Sequence, residues 1–336
     1  YGKVFNIAQS FIDDVSRFGM ESADLAPNLL QKLDTTAAAI RGVRHASRDK
    51  ADAKAISAPI FEGTQPFGDA ACVALCRTAN AVIMGKTVTT EFANRHPGPT
   101  RNPHNPAHTP GGSSSGSAAA VADFQVTLAT GTQTGGSVIR PAAFCGVFGY
   151  KPTFGHFPVA GMKANTEWLD TIGAYARSLE DIALFRAALA AIPHRPVQKL
   201  ERPPRIAICF TPHKDEMQPE GIAAIEEAAA SLAKAGAEVT EFAMPPELFQ
   251  MREAQKTLSA FDGPRAAADD VRRHDELLSK SFLEDKIAAG NKLDYAAWAA
   301  AQGCVRVIIA GRRGWLRTLK GFSPLWTAMS KEIIRS

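Results

Sequence analysis

The sequence has no apolar run long enough to cross a bilayer, which takes about 18 residues or more, and no leader-like N-terminal segment. A membrane-spanning protein is therefore not expected. It has no Lys/Arg stripe either. Its 38 basic and 34 acidic residues are interspersed and leave a net charge of only +4, which gives nucleic acid no electrostatic footprint. Cysteine is scarce and odd in number, five in all (Cys72, Cys76, Cys145, Cys209, Cys304), each in an apolar run. That usage excludes a disulfide framework and points to reduced, buried thiols and a cytoplasmic protein. No second ligand pair accompanies Cys72 and Cys76, so no metal site is implied, and no internal repeat is present. What remains is ordinary globular composition: 336 residues, 45% hydrophobic and 21% charged. That is enough for one large domain or two ordinary ones.

Against this plain background one stretch stands out. Residues 111–137 read GGSSSGSAAAVADFQVTLATGTQTGGS. Two glycine-framed serines, Ser113 and Ser137, are separated by a small-residue helix and a short apolar strand. Each lies where the backbone can turn tightly and present its own N–H groups. An enzyme that attacks a carbonyl needs such a serine and such donors.

The flanking pattern alternates strand and helix. Asp69 is placed to cap a helix reaching Ala79, followed by a strand over 81–84. A proline-rich loop spans 95–112, a buried helix 117–124, strands 126–130 and 147–150, and a loop 131–137. Ser178 and Asp181 form a capping box for a helix to Ala191. After a proline-rich joint, strand 205–210, helix 219–235 and strand 237–242 form a βαβ unit, with Gly236 at the helix C-terminus. Residues 25–41 and most of 246–310 read as helical. The alternation predicts an α/β fold: a mixed, twisted β-sheet core flanked by helices on both faces.

Three other readings of the motifs are weaker. Gly112-Ser113-Ser114-Ser115-Gly116 matches G-x-S-x-G with Ser114 as nucleophile, but that elbow must follow a strand directly, and the prolines of NPHNPAHTPG forbid one. Gly85-Lys86-Thr87 lacks the earlier glycine of a phosphate loop, Asn80 standing in its place. His104 and His108 are separated by prolines and have no acidic or thiol partner nearby, so locally hydrogen-bonded histidines are the better reading.

Taken together, GGSSSGSAAA from Gly111 and GTQTGGSVIRPA from Gly131 resemble the signature of the amidase signature family. The lead-in MGKTVTTEFA and the exit FCGVFGYKPTFG are similar as well. The resemblance is close over 57–161 and looser to about residue 302. It implies amide C–N bond hydrolysis through an acyl-enzyme. Ser137 would be the nucleophile and Ser113, held by a cis peptide bond, the proton relay. The N–H groups of Thr134, Gly135, Gly136 and Ser137 would hold the oxyanion. It implies no cofactor and a small-molecule amide as partner, and leaves a homodimer open. It also implies a single domain over 1–336, with a signature core at 57–161, a second lobe on the same sheet at 205–302, and an atypical tail at 303–336 that leaves the fold incomplete at its C-terminus.

One member of the family's catalytic set differs. Ungapped counting puts its base lysine at Arg44, in Gly42-Val43-Arg44-His45. A guanidinium stays protonated at any working pH, whereas a lysine amine can be made a base. Two function classes therefore stand side by side: an amidase, or an amidase-like scaffold without turnover.

Overall fold

The computed structural model describes residues 58–61, 68–198, 200–210 and 212–318. Arg44, the helix expected over 25–41 and the stretch beyond residue 318 lie outside the described residues.

The fold is α/β, built around a three-stranded sheet. β1 (Leu128–Gln133) and β2 (Phe148–Tyr150) flank β3 (Thr171–Ala176), which runs antiparallel to both. The register pairs Leu128 with Ala176 and Gln133 with Thr171, so the C-terminal end of β1 opens directly into the loop that holds Ser137. β3 is the central strand and was not foreseen. Its sequence, TIGAYA, has no polar–apolar alternation because all six residues are buried. Strands covered on both faces lose the period-2 signal.

Helices cover both faces. On one side α1 (Ala71–Thr78) and α4 (Leu179–Ala190) place Cys72, Val73, Cys76, Ile182, Phe185 and Leu189 against Ile172, Ala174 and Ala176 of β3. On the other, α2 (Ser115–Ala122) and α3 (Ile139–Phe144) place their alanines, with Val121 and Val138, against Ala129 and Tyr175. Alternate residues of β3 thus serve opposite cores. The composition of α2 follows from how closely it approaches its neighbour. A Cβ at Gly116 would lie 2.5 Å from the Val88 backbone nitrogen, so only glycine fits there.

Two local expectations are corrected. Asp69 does not cap α1: the helix begins at Ala71, whose N–H is taken by the Ala160 carbonyl, while the Asp69 carboxylate accepts from Arg77 Nε at 2.6 Å. Residues 81–84 form no strand. They take no regular secondary structure, and Val82 and Met84 are each 40% exposed. The capping box is as read, with Ser178 Oγ accepting from the Asp181 N–H at 3.1 Å.

The later βαβ unit comprises β4 (Arg205–Ile208), α5 (Pro219–Lys234) and β5 (Glu238–Glu241). Its two strands pair parallel with each other, in a sheet separate from the first. The expectation of a lobe on the same sheet is therefore corrected. The unit's strands are at most half-buried, and α5 buries only Gly221. Beyond it the chain is helical: α6 (Met251–Ala266), α7 (Ala268–His274), a π-helical segment (Phe282–Ala288) and α8 (Tyr295–Thr318). The start of the expected tail, 303–318, is the continuation of α8. α6 and α8 pack through Ala254, Leu258, Ala301 and Trp298. No helix among the described residues is long and apolar enough to cross a membrane.

Candidate active site

The two serine loops meet. The Ser114 N–H donates to the Ser137 carbonyl at 3.3 Å, and the Tyr175 hydroxyl, rising from β3, donates to the same oxygen at 3.2 Å. Ser114 Oγ both donates to the Thr132 carbonyl and accepts from the Thr132 N–H, which ties the start of α2 to the end of β1. Ser114, weighed above as an elbow nucleophile, is thus a structural tie. Its hydroxyl is already committed.

The Gly112–Ser113 peptide bond is cis. Ser113 is only 3% exposed, its carbonyl accepts from the Thr90 N–H at 2.9 Å, and among the described residues its buried hydroxyl has no partner. Buried polar atoms are almost always paired, so an orphan hydroxyl calls for a role beyond packing. Ser137 is half-buried, and among the described residues its hydroxyl also has no partner.

Gln133, 7% exposed and unforeseen, shapes the loop between β1 and α3. Its Oε1 accepts from the N–H groups of Val138 (2.8 Å) and Ile139 (3.1 Å), and its Nε2 donates to the Gly135 carbonyl at 2.8 Å. A trans peptide points its C=O and N–H in opposite directions. Holding the Gly135 carbonyl therefore turns the Gly136 N–H away from Gln133. Likewise the Gly136 carbonyl accepts from the Arg140 N–H, which turns the Ser137 N–H away from α3. Among the described residues, the N–H groups of Thr134, Gly135, Gly136 and Ser137 have no acceptor. Such a row of uncommitted donors can receive a developing negative charge.

A second layer stands behind this loop. Thr134 Oγ1 donates to Asp170 Oδ1 at 2.5 Å, and Asp170 Oδ2 accepts from the N–H groups of Asn165 (2.6 Å) and Thr166 (2.9 Å). On α6, the Gln255 amide nitrogen would stand 3.8 Å from a Cβ at Gly135. Neither Asp170 nor the α6 residues carry a motif that could have identified them. Sequence separation hides them, and only the fold brings them to the loop.

The base slot, Arg44, lies outside the described residues. The extended segment 87–90 runs alongside α2, with Thr87 Oγ1 on Ser117 Oγ at 2.6 Å at one end and Thr90 on Ser113 at the other. Lys86 lies beyond the Ser117 end. The His104 ring is held by a distant partner rather than locally, its Nε2 on the Cys145 carbonyl at 2.9 Å. Burial pushes the thiols of Cys76 and Cys145 up to about 12 and about 11, which leaves them protonated and inert at neutral pH. Among the described residues, no cluster of His, Cys, Asp or Glu could hold a metal ion.

The chain is similar to known proteins in sequence and fold. A family model described as Amidase matches residues 53–303. A glutamyl-tRNA(Gln) amidotransferase subunit of Thermobifida fusca is 35% identical over 253 residues, covering 66% of this chain and 51% of its own. The Koribacter versatilis protein of the same name is 36% identical over 225 residues, 59% of this chain and 47% of its own. The chain spans about half the length of these curated relatives. Among solved structures, a crystal structure of an amidase superposes with a TM-score of 0.72 at 26% identity, covering 85% of this chain and 64% of that one. A 6-aminohexanoate cyclic dimer hydrolase gives 0.70 at 25% identity, covering 83% and 64%. With the family model spanning most of its length, the chain belongs to the Amidase family.

Proposed function

We propose that the chain hydrolyses an amide C–N bond through Ser137. The observation that supports this most directly is the buried hydroxyl of Ser113, without a partner among the described residues and one residue from the backbone bond that joins the two serine loops. Ser137 Oγ attacks the amide carbonyl and a C–O bond forms. The carbonyl oxygen becomes an oxyanion held by the N–H groups of Thr134, Gly135, Gly136 and Ser137. The Ser137 proton passes to Ser113, whose own proton passes to the nitrogen. The C–N bond then breaks and ammonia or an amine leaves. Water releases the acyl group as a carboxylic acid and restores Ser137.

In this cycle Ser113 is a shuttle that takes one proton and gives one. The substrate class is a small amide, in keeping with relatives named as amidases and as part of an amidotransferase. Of the expected divisions, the core at 57–161 leaves out the central strand Thr171–Ala176, and the boundary at 302/303 falls inside α8. The first module carries both serines, and the later helices stand over the loop.

A serine-directed fluorophosphonate tests the reading by intact mass. The wild-type chain should take up one adduct and Ser137→Ala none. An adduct of equal yield on Ser137→Ala would overturn the assignment.

A further inference from the structure

We propose that Glu91 is a positioning residue for Ser113: its carboxylate fastens the turn that holds the Ser113 carbonyl to the start of the helical run 280–290. The inference rests on the reading of Ser113 as the proton relay given above.

Glu91 is 1% exposed. A carboxylate is almost never buried to that degree unless its oxygens are held. Here one distant residue holds both. Oε1 accepts from the Ser279 N–H at 3.0 Å, and Oε2 accepts from the Ser279 hydroxyl. Ser279 stands just before the run 280–290, whose middle is the π-helical segment Phe282–Ala288, and its Oγ accepts from the Phe282 N–H at 3.2 Å. The carboxylate thus lies at the N-terminal end of the run, where unpaired N–H groups favour a negative charge.

The backbone on either side of Glu91 leads to the serine loop. Just before it, the Thr90 N–H donates to the Ser113 carbonyl at 2.9 Å. Thr90 Cγ2 would lie 3.0 Å from a Cβ at Gly112, so the Thr90 side chain abuts the residue that precedes Ser113. Just after it, Phe92 and Ala93 both take left-handed backbone, with φ of 47° and 54°. Residues other than glycine hold that conformation only where neighbours enforce it. Those neighbours are on both sides of the turn. Thr90 Oγ1 donates to the Asn94 carbonyl at 2.6 Å, the Asn94 N–H donates to the Glu91 carbonyl at 2.8 Å, and the Phe92 ring stacks on Phe282 with centroids 4.6 Å apart. Glu91 and Phe92 therefore anchor the turn to the first residues of the run 280–290, and Thr90 passes that anchorage to Ser113. The Ser113 hydroxyl has no hydrogen-bond partner of its own among the described residues, so its aim depends on how its backbone is held.

Loss of the anchor should misplace the relay without touching Ser137. Fluorophosphonate uptake reads this, because the Ser137 proton must reach Ser113 as the Oγ–P bond forms and fluoride leaves. Glu91→Ala should take up the probe about tenfold more slowly than wild type while still reaching one adduct per chain. Glu91→Gln should restore most of that rate, since its carboxamide oxygen can accept from the Ser279 N–H and its nitrogen can donate to Ser279 Oγ. A role in folding alone would lower the adduct yield or the melting temperature and leave the rate per folded chain as in wild type. Amide exchange over residues 88–94, followed by mass spectrometry, should be faster in Glu91→Ala and close to wild type in Glu91→Gln. Ser279→Ala, which removes the hydroxyl donor alone, replaces Glu91→Ala if that variant fails to fold, and should slow uptake and speed exchange in the same sense. A wild-type rate per folded chain in Glu91→Ala, a Glu91→Gln as slow as Glu91→Ala, or unchanged exchange overturns the proposal. A wild-type chain that takes up no phosphonate counts against the hydrolase reading instead, and the exchange measurement then decides the positioning role by itself.

Discussion

Three serines in a row receive three different fates. Ser113 keeps its hydroxyl unpartnered, Ser114 commits its hydroxyl to Thr132, and Ser115 donates to the Val88 carbonyl at 3.3 Å. The string GGSSS shows that serines are present but not how they divide the work, because hydrogen-bond partners 18 and 27 residues away decide it. The Ser137 loop was legible as a glycine-rich motif, although a Cβ at Gly135 would meet nothing closer than the Gln255 amide nitrogen at 3.8 Å. Gln133 and Asp170 were not, since both act through atoms that only the folded loop presents. The residue most open to test is Arg44. A guanidinium cannot take a proton at neutral pH, and a general base is typically worth about 10²–10⁴-fold in rate. Arg44→Lys should therefore raise amide turnover by roughly that factor, measured as ammonia release against Ser137→Ala as blank. No gain would mean that position 44 is not the base slot of this chain.

The elements divide by how they announce themselves. α4 was placed from its capping box, and the structure shows that bond. β3 was silent, since a strand buried on both faces has no alternation to read, and its small residues lack strong β preference. α2 is the element on which the site depends most. It is a helix of Ser, Gly, Ala and Val with every residue from Ser115 to Val121 buried, and it lies against the extended segment that also holds Ser113 through Thr90. Gly116→Ala gains up to about 1 kcal/mol of helix propensity, but its methyl would meet the Val88 backbone, and overpacking of this kind costs about 1–3 kcal/mol. The substitution should lower the melting temperature by a few degrees and slow fluorophosphonate uptake by Ser137. A variant with wild-type melting and wild-type uptake would show that the 87–90 segment yields freely.

The molecule as a whole joins parts of unequal solidity. The three-stranded sheet is covered on both faces by packed helices, whereas β4 and β5 form a two-stranded sheet whose helix α5 buries little. Two strands alone are marginal, and poorly buried units open locally before the rest. Amides of Arg205–Ile208 and Glu238–Glu241 should exchange well before those of Thr171–Ala176 at neutral pH. Equal protection would mean that the unit is as firmly packed as the core. The βαβ pattern was legible in sequence because each piece is locally periodic. Its separation from the main sheet was not, because strand periodicity does not say which edge a strand joins. Within the firmer part, the tie between Ser114 and Ser137 has a consequence of its own. It is made from main-chain atoms on the Ser137 side, so the scaffold is indifferent to the reactive group it displays. Exchanging the Ser137 hydroxyl for a thiol would disturb no hydrogen bond that holds the loops together, while removing the Ser114 hydroxyl would break its two bonds to Thr132. The fold thereby leaves the chemistry of the nucleophile open to change and keeps its address fixed.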